Sequence, residues 1–192
     1  PRDTERLWDE MFKLNHSIGW ATHGWGRPQI MTAIAGIDIA LWDIKGKAAN
    51  MPVYQLLGGT RNRVPCYVTG GYYQEGKTIS DLVSECESYV DMGFNAIKLK
   101  IGHVSLKEDF SRIKAVRDSL GYDIDIMLDV NEGYDVLTAI ESARMMAPLQ
   151  IRWLEEPVHW YDSIEGLAQV AASTDIPIAS GESAANRWQA RD

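Results

Sequence analysis

Hydrophobic and polar positions alternate in three stretches of this chain. In Ala96-Ile97-Lys98-Leu99-Lys100-Ile101 the apolar Ile97, Leu99 and Ile101 share one face, and Lys98 and Lys100 the other. Over 123–131, Ile124, Ile126, Leu128 and Val130 oppose Asp129 and Asn131; Ile176, Ile178, Ser180 and Glu182 form a third such face. The stretches therefore predict strands over 95–101, 123–130 and 176–181, and shorter apolar runs add strands over 64–69 and 151–155. Between them the period changes to that of a helix. Ile79, Leu82, Val83, Cys86 and Val90 predict a buried stripe on a helix over 78–92. Leu106, Phe110, Ile113, Val116 and Leu120 predict another, opened by a capping box, Ser105-Leu106-Lys107-Glu108. Further helices are expected over 135–147 and 162–174, with a last one beginning near 185.

The first 60 residues are patterned differently. A helix is expected over 4–14, then a loop rich in glycine, tryptophan and histidine over 19–26. A long helix follows from Pro28, a favoured first-turn residue, with a stripe of Ile30, Ile34, Ile37, Leu41 and Ile44. It ends before Met51-Pro52. Leu56-Leu57-Gly58-Gly59-Thr60 reads as a turn.

Charged residues close the apolar runs at nearly even intervals. The steps from Lys100 to Asp129, to Glu155 and to Glu182 are 29, 26 and 27 residues. A repeating unit of strand, loop, helix and return loop takes about that length, since a parallel crossover needs roughly a dozen residues. One charged cluster per unit, always at the C-terminal end of its strand, puts two ammonium groups and three carboxylates around one mouth. Three carboxylates held together form an oxygen-ligand site for a hard divalent cation, and two lysines beside it are candidates for proton abstraction. The fold class expected is α/β, a TIM-type (β/α) barrel present in part, as about five βα units. Five units do not close an eight-stranded barrel, which typically needs about 250 residues. An open five-stranded parallel sheet is the alternative, although such a sheet rarely offers a functional residue from four consecutive strands. Surface alternation on an antiparallel sheet would suit one strand but not the spacing. The chain is expected to be a piece of a longer one.

Composition narrows the partners. At 45% hydrophobic and 24% charged, the 192 residues have a globular composition, and a net charge of −8 argues against nucleic-acid or anionic-membrane surfaces. No apolar run approaches the roughly 20 residues of a membrane-spanning helix, and no signal peptide opens the chain. Cys66 falls in a predicted strand and Cys86 on a helix stripe, which suits two buried thiols in a reducing compartment; a cytoplasmic location is expected.

The run from Ala35 to Ala48, Ala-Gly-Ile-Asp-Ile-Ala-Leu-Trp-Asp-Ile-Lys-Gly-Lys-Ala, followed by Pro52-Val53-Tyr54-Gln55-Leu56-Leu57-Gly58-Gly59, resembles the enolase superfamily. More narrowly, Lys98-x-Lys100, Asp129-x-Asn131, Glu155-Glu156-Pro157 and Gly181-Glu182 are similar in order and spacing to motifs of its mandelate racemase group of acid-sugar dehydratases and racemases. The resemblance covers about residues 28–192. It implies that Asp129, Glu155 and Glu182 bind Mg2+, that Lys100 removes the proton α to a substrate carboxylate, and that Lys98 is an adjacent ammonium lowering the pKa of Lys100 and countering the developing charge. It implies that Asn131 contacts a substrate hydroxyl. Glu182 is similar to the racemase group, whereas muconate-lactonising relatives commonly carry aspartate there. The group's His–Asp dyad would lie on later strands, beyond Asp192. Residues 1–59 would be a helical segment joining a capping domain to the barrel, and 60–192 the first five βα units. The function implied is Mg-dependent dehydration of a sugar acid by a lyase. The alternative is a racemase or epimerase of a 2-hydroxy or sugar acid. From another class comes a non-catalytic binding or oligomer-forming relative. The expected partners are a small-molecule carboxylate and other copies in a homo-oligomer, with no nucleic acid and no membrane.

Other polar residues have plainer readings. His103 could line the mouth or be a solvated loop residue, and His159, Trp160 and Tyr161 could contact substrate or pack their loop. Glu156 suits a contact behind the metal ligands or a salt bridge. His16 and His23 suit structural or inter-subunit roles, and Asp123 and Asp125, at the bottom of their strand, stability. The edges near Ile176 and Ile178 are expected to lack neighbours, which invites aggregation of the isolated piece.

Overall fold

The computed structural model describes residues 3–14 and 27–191, which fall into two compact units: Pro1–Val64 with Ala184–Asp192, and Pro65–Ser183. The loop expected over 19–26, with His16 and His23, lies outside the described residues.

The first unit holds α1 (Thr4–Leu14), α2 (Arg27–Ala49) and α3 (Val53–Leu56). The stripe expected on α2 is only partly covered: Ile34 is buried with Met31, but Ile37 and Ile44 are about half exposed. Burial follows Met31, Ile34 and Gly46, the side on which the chain returns; a Cβ on Gly46 would stand 2.8 Å from the Met51 carbonyl. No helix forms from 185. The Asn186 side-chain oxygen accepts from the amides of Trp188 and Gln189, each at 3.1 Å, an N-cap arrangement, and the Ala190 amide donates to the Asn186 carbonyl at 3.2 Å, so 187–191 form a turn. Trp188 packs on Trp8 and Phe12, with ring centroids 5.9 and 5.5 Å away.

The second unit alternates strands and helices: β1 (Val68–Gly70), α4 (Ile79–Asp91), β2 (Ala96–Lys100), α5 (Leu106–Leu120), β3 (Asp125–Asp129), α6 (Val136–Met146), β4 (Leu154–Glu155), α7 (Ser163–Ala172) and β5 (Ile178–Ala179). All neighbours are parallel and the strand order is β1-β2-β3-β4-β5. A doubly wound sheet reverses its order at a switch point, so sequential order leaves the alternative without support. These are βα units of a TIM-type barrel.

Caps explain the helix starts. Thr78 accepts from the Asp81 amide while Asp81 accepts from the Thr78 amide, a full capping box that the sequence pattern did not single out. Ser105 accepts from the Glu108 amide, one half of the expected capping box. Ile79 is nonetheless exposed and leaves the α4 stripe to Leu82 and Cys86. β1 starts four residues later than expected, because Val64 and Pro65 are exposed and proline has no N–H for a ladder. Cys66 is consequently outside the strand and exposed, which corrects the reading of two buried thiols.

The core lies between sheet and helices. Ile97, Leu99, Ile101, Ile126, Leu128, Val130 and Leu154 meet Leu82, Cys86, Ile113, Val116, Ala139, Ala143 and Val170. Ile176 is buried with them and Ile178 packs against them, so the outer side of the edge strand has neighbours. The polar alternates point the other way, toward the axis of the barrel.

Candidate active site

Register brings the charged tips together. Lys100 pairs with Asp129, and Asp129 with Glu155, so the three side chains leave the same face of adjacent strands. Asp129 is 1% exposed and Lys98 8%, and neither could stay buried and charged without a partner. Lys98 Nζ bridges two carboxylates, bonding Glu155 Oε1 and standing 3.2 Å from Asp129 Oδ2. Lys100 Nζ donates to Asp129 Oδ2 at 2.7 Å and to Asn131 Oδ1 at 2.6 Å. Burial works to lower the Lys98 pKa, but its bonds to Glu155 and Asp129 and their charges outweigh it and hold the ammonium above the usual lysine value. Burial likewise works to raise the Asp129 pKa; the Lys100 bond, the Asn131 amide and Lys98 together bring it below the usual carboxylate value.

Glu182 reaches the mouth by a different route. Alternation places it on the same face as Ile176 and Ile178, which point at the helices. The left-handed backbone of Gly181, at φ +119°, breaks that alternation, and Glu182 Oε1 accepts from Asn131 Nδ2 at 3.2 Å. Glycine adopts this φ without steric cost. Asn131, Glu132 and Glu156 also have positive φ, at 47°, 62° and 41°, so three of this unit's side-chain-bearing residues with unfavourable backbone lie at the mouth, with Gln150, at 51°, at the other end.

The structure thus joins all six predicted site residues in one network, through Lys98 on one side and Asn131 on the other. It does not close the three carboxylates on a point: among the described residues no group of three acidic, histidine or cysteine side chains is arranged to hold a metal ion. The donor chemistry fits a hard divalent cation, with three carboxylates, one of them buried and kept ionised, on consecutive strand ends. Their present partners are ammonium and amide groups.

Four supporting residues escaped the sequence reading. Trp153 Nε1 donates to Glu155 Oε2 at 2.9 Å, two positions back on the same strand face. Asp109, fully buried on α5, accepts from Tyr73 Oη at 2.5 Å, Arg112 Nη1 at 2.7 Å and the Gly102 amide at 2.7 Å. Arg112 in turn donates to the carbonyls of Lys100 and Gly71, at 3.3 and 3.0 Å, fastening the ends of β2 and β1. Their signal was available: Asp109, Arg112, Ile113 and Val116 share the inward side of α5 at helical spacing.

A cavity of about 410 Å3 opens beside Lys100, lined by Tyr72, His103 and Asn131 among others, which puts His103 at the mouth. His159 stacks on Tyr161 at 3.9 Å and serves its own loop. Asp125 pairs with Arg152 at 3.1 Å on the exposed lower side of the sheet. No helix among the described residues is long and apolar enough to cross a membrane.

Residues 81–192 match the family model described as enolase C-terminal domain-like, and residues 1–58 that of the mandelate racemase / muconate lactonizing enzyme N-terminal domain. The arabinonate dehydratase of Saccharolobus solfataricus is 44% identical over 96% of the chain and 48% of its own length. The L-talarate/galactarate dehydratase of Salmonella typhimurium is 39% identical over 95% of the chain and 44% of its length. A crystal structure of a racemase from Streptomyces coelicolor A3(2) with bound magnesium superposes with a TM-score of 0.82 at 35% identity, over 94% of the chain and 48% of that protein. The chain spans about half the length of the relatives it matches. Network, βα order and matched models agree that the chain belongs to the enolase superfamily, in its mandelate racemase group.

Proposed function

We propose that this protein is a magnesium-dependent acid-sugar dehydratase, which removes the proton α to a sugar-acid carboxylate and then expels the β-hydroxyl as water. The observation that carries the reading is the arrangement at the tips of β2 and β3, two lysines on one strand against a buried, ionised Asp129 with Asn131 beside Lys100. The names of the two dehydratase relatives support the substrate class.

Asp129, Glu155 and Glu182 would hold the ion, a role supported by their donor chemistry and by the magnesium of the solved relative. What a divalent cation supplies there is positive charge that draws in the substrate carboxylate and offsets its growing charge. Lys100 Nζ takes the α-proton, for which it must be in its amine form, aimed by Asp129 and Asn131. Lys98, held protonated by two carboxylates, is unsuited to that task near neutral pH and acts as a fixed positive charge. Asn131 offers its amide to a substrate hydroxyl. The acid that protonates the leaving hydroxyl is assigned to a His–Asp dyad on later strands. In this reading residues 1–59 join a capping domain to a barrel whose first five βα units run over 60–192, and the protein is a cytoplasmic homo-oligomer.

Racemisation or epimerisation is the second reading, favoured by the name of the solved racemase relative and sharing the same first step. The two separate when full-length protein with MgCl2 in deuterated water is given a panel of aldonic and aldaric acids. A 2-keto-3-deoxy product, read by semicarbazide absorbance, supports dehydration. Deuterium at the α-carbon with an inverted epimer and no loss of water supports racemisation. Absence of both across the panel overturns the sugar-acid assignment.

A further inference from the structure

We infer that Glu156 is a positioning residue for Glu182: its buried carboxylate fixes the bend after β5 and thereby decides where the Glu182 oxygens stand. The inference rests on the reading of Glu182 as a metal ligand.

Glu156 is 4% exposed, and among the described residues no ion pair reaches it. Its oxygens are instead filled by three consecutive residues of the neighbouring strand end. Oε1 accepts from the amides of Gly181 at 2.6 Å and Glu182 at 2.9 Å, and Oε2 from the Ser180 hydroxyl at 3.0 Å. Its main chain binds on both sides as well: the amide donates to the Ala179 carbonyl at 2.9 Å, and the carbonyl accepts from Glu132 N–H at 2.7 Å. One residue therefore ties β5, the bend 180–182 and the end of β3.

Two further facts give the carboxylate a purpose. Glu156 sits at φ +41°, which costs a side-chain-bearing residue on the order of 1 kcal/mol and glycine far less. A backbone role alone would favour glycine, so the strain is offset by what the side chain does. The bend it holds is not held by packing: a Cβ on Gly181 would meet nothing within 4 Å. Besides the bonds to Glu156, the bend is tied by two exposed side-chain bonds: Asn131 Nδ2 donates to the Glu182 carboxylate at 3.2 Å, and the Ser183 hydroxyl donates to Glu132 Oε1 at 2.5 Å. Without Glu156, a glycine hinge in open space would carry a ligand held through those two exposed bonds, with no buried anchor beneath it.

The test separates reach from charge. Glutamine keeps the length of glutamate: its oxygen can accept from both amides, and its NH2 can donate to Ser180 Oγ. Aspartate keeps the charge but is one methylene too short to meet those donors. In the full-length protein, Mg2+ affinity is titrated with MgCl2 by calorimetry, with thermal melts alongside, for wild type, Glu156→Gln, Glu156→Asp and Glu182→Gln. The expected result is a loss of about 10- to 100-fold in Glu156→Asp, as for other residues behind a metal ligand, and of less than about threefold in Glu156→Gln. Wild-type affinity in Glu156→Asp overturns the inference, as does a fall in melting temperature with no difference in Mg2+ affinity between the two variants. A larger loss in Glu156→Gln than in Glu156→Asp overturns it too, since charge would then matter more than reach. Wild-type affinity in Glu182→Gln overturns the ligand reading beneath it, and the inference with it.

Discussion

Helix α5 carries buried charge near both ends, and the two ends are handled differently. Toward the mouth, Asp109 and Arg112 form an ion pair 2.7 Å long, and each still bonds main-chain groups of the strand ends. Toward the bottom, Arg117 is 2% exposed and among the described residues no carboxylate pairs with it; its guanidinium donates to the carbonyls of Leu149, Gly121, Ile124 and Gln150. Burial depresses its pKa, as expected of a cation facing dipoles rather than an anion. The lower guanidinium ties the turn over 121–124 to the turn over 149–150, a task of stability. The upper pair holds the backbone of Lys100 and the Gly71 turn, so there stability and site geometry share the same bonds. Conformational strain does not follow this division: Asn131, Glu132 and Glu156 lie at the mouth, but Gln150, whose carbonyl accepts from Arg117 at the bottom, also has a positive φ, at 51°.

The sharpest break is Lys100→Ala, which removes the proposed base and leaves both ends of α5 intact. Exchange of the substrate α-proton with solvent deuterium is expected to fall by at least about 10²–10⁴-fold in protein that still folds, Asp129 keeping Lys98 as its remaining charged partner at some cost in melting temperature. Retained wild-type exchange would refute its role.

Asp109→Ala should combine both kinds of damage. It strands the Arg112 charge and deprives Gly102 N–H of its acceptor, at about 3–5 kcal/mol by urea unfolding, and lowers activity by loosening the end of β2. A loss of stability with activity unchanged in the folded fraction would show that the upper pair is as purely structural as Arg117.

Arg117→Met tests the other end. Four carbonyls lose their donor while much of the buried volume is kept, so about 2–4 kcal/mol of stability should go. Activity per folded molecule is expected to stay at the wild-type level.

The smallest effect concerns Glu85, on α4 behind the mouth. Burial works to raise its pKa, but Lys77, the Gly71 amide and the Tyr89 hydroxyl outweigh it and hold it below the ordinary 4.5. A carboxyl depressed in the folded state contributes stability that is present above its unfolded pKa and lost as pH falls through its folded one. Melting temperature should therefore drop between about pH 5 and pH 3, and drop less in Glu85→Gln. Equal slopes would remove Glu85 from the account.

The repeat of alternating strands and amphipathic helices was legible because burial on one face imposes a period, and a period can be read residue by residue. The same holds for the strand-end placement of Lys98, Lys100, Asp129 and Asn131: once the alternation is known, register between equal units brings them side by side. Helix starts at Ser105 and the core on Ile97, Leu99, Ile126 and Leu128 followed from equally local rules. Other features depended on which surfaces meet. Ile37 and Ile44 match the period of a buried stripe yet stay exposed, because periodicity shows that a face is apolar and not how much of it is covered. Alternation alone sends Glu182 toward the helices; the bend at Gly181, held by a carboxylate 25 residues away in sequence, turns it to the mouth. The different surroundings of the two lysines are also tertiary. They are chemically identical and two residues apart, and only the pairing of β2, β3 and β4 decides that Lys98 is held between two carboxylates while Lys100 meets one carboxylate and an amide oxygen. The reason is physical: face and period are properties of a segment, whereas charge state depends on distances to groups that other segments supply.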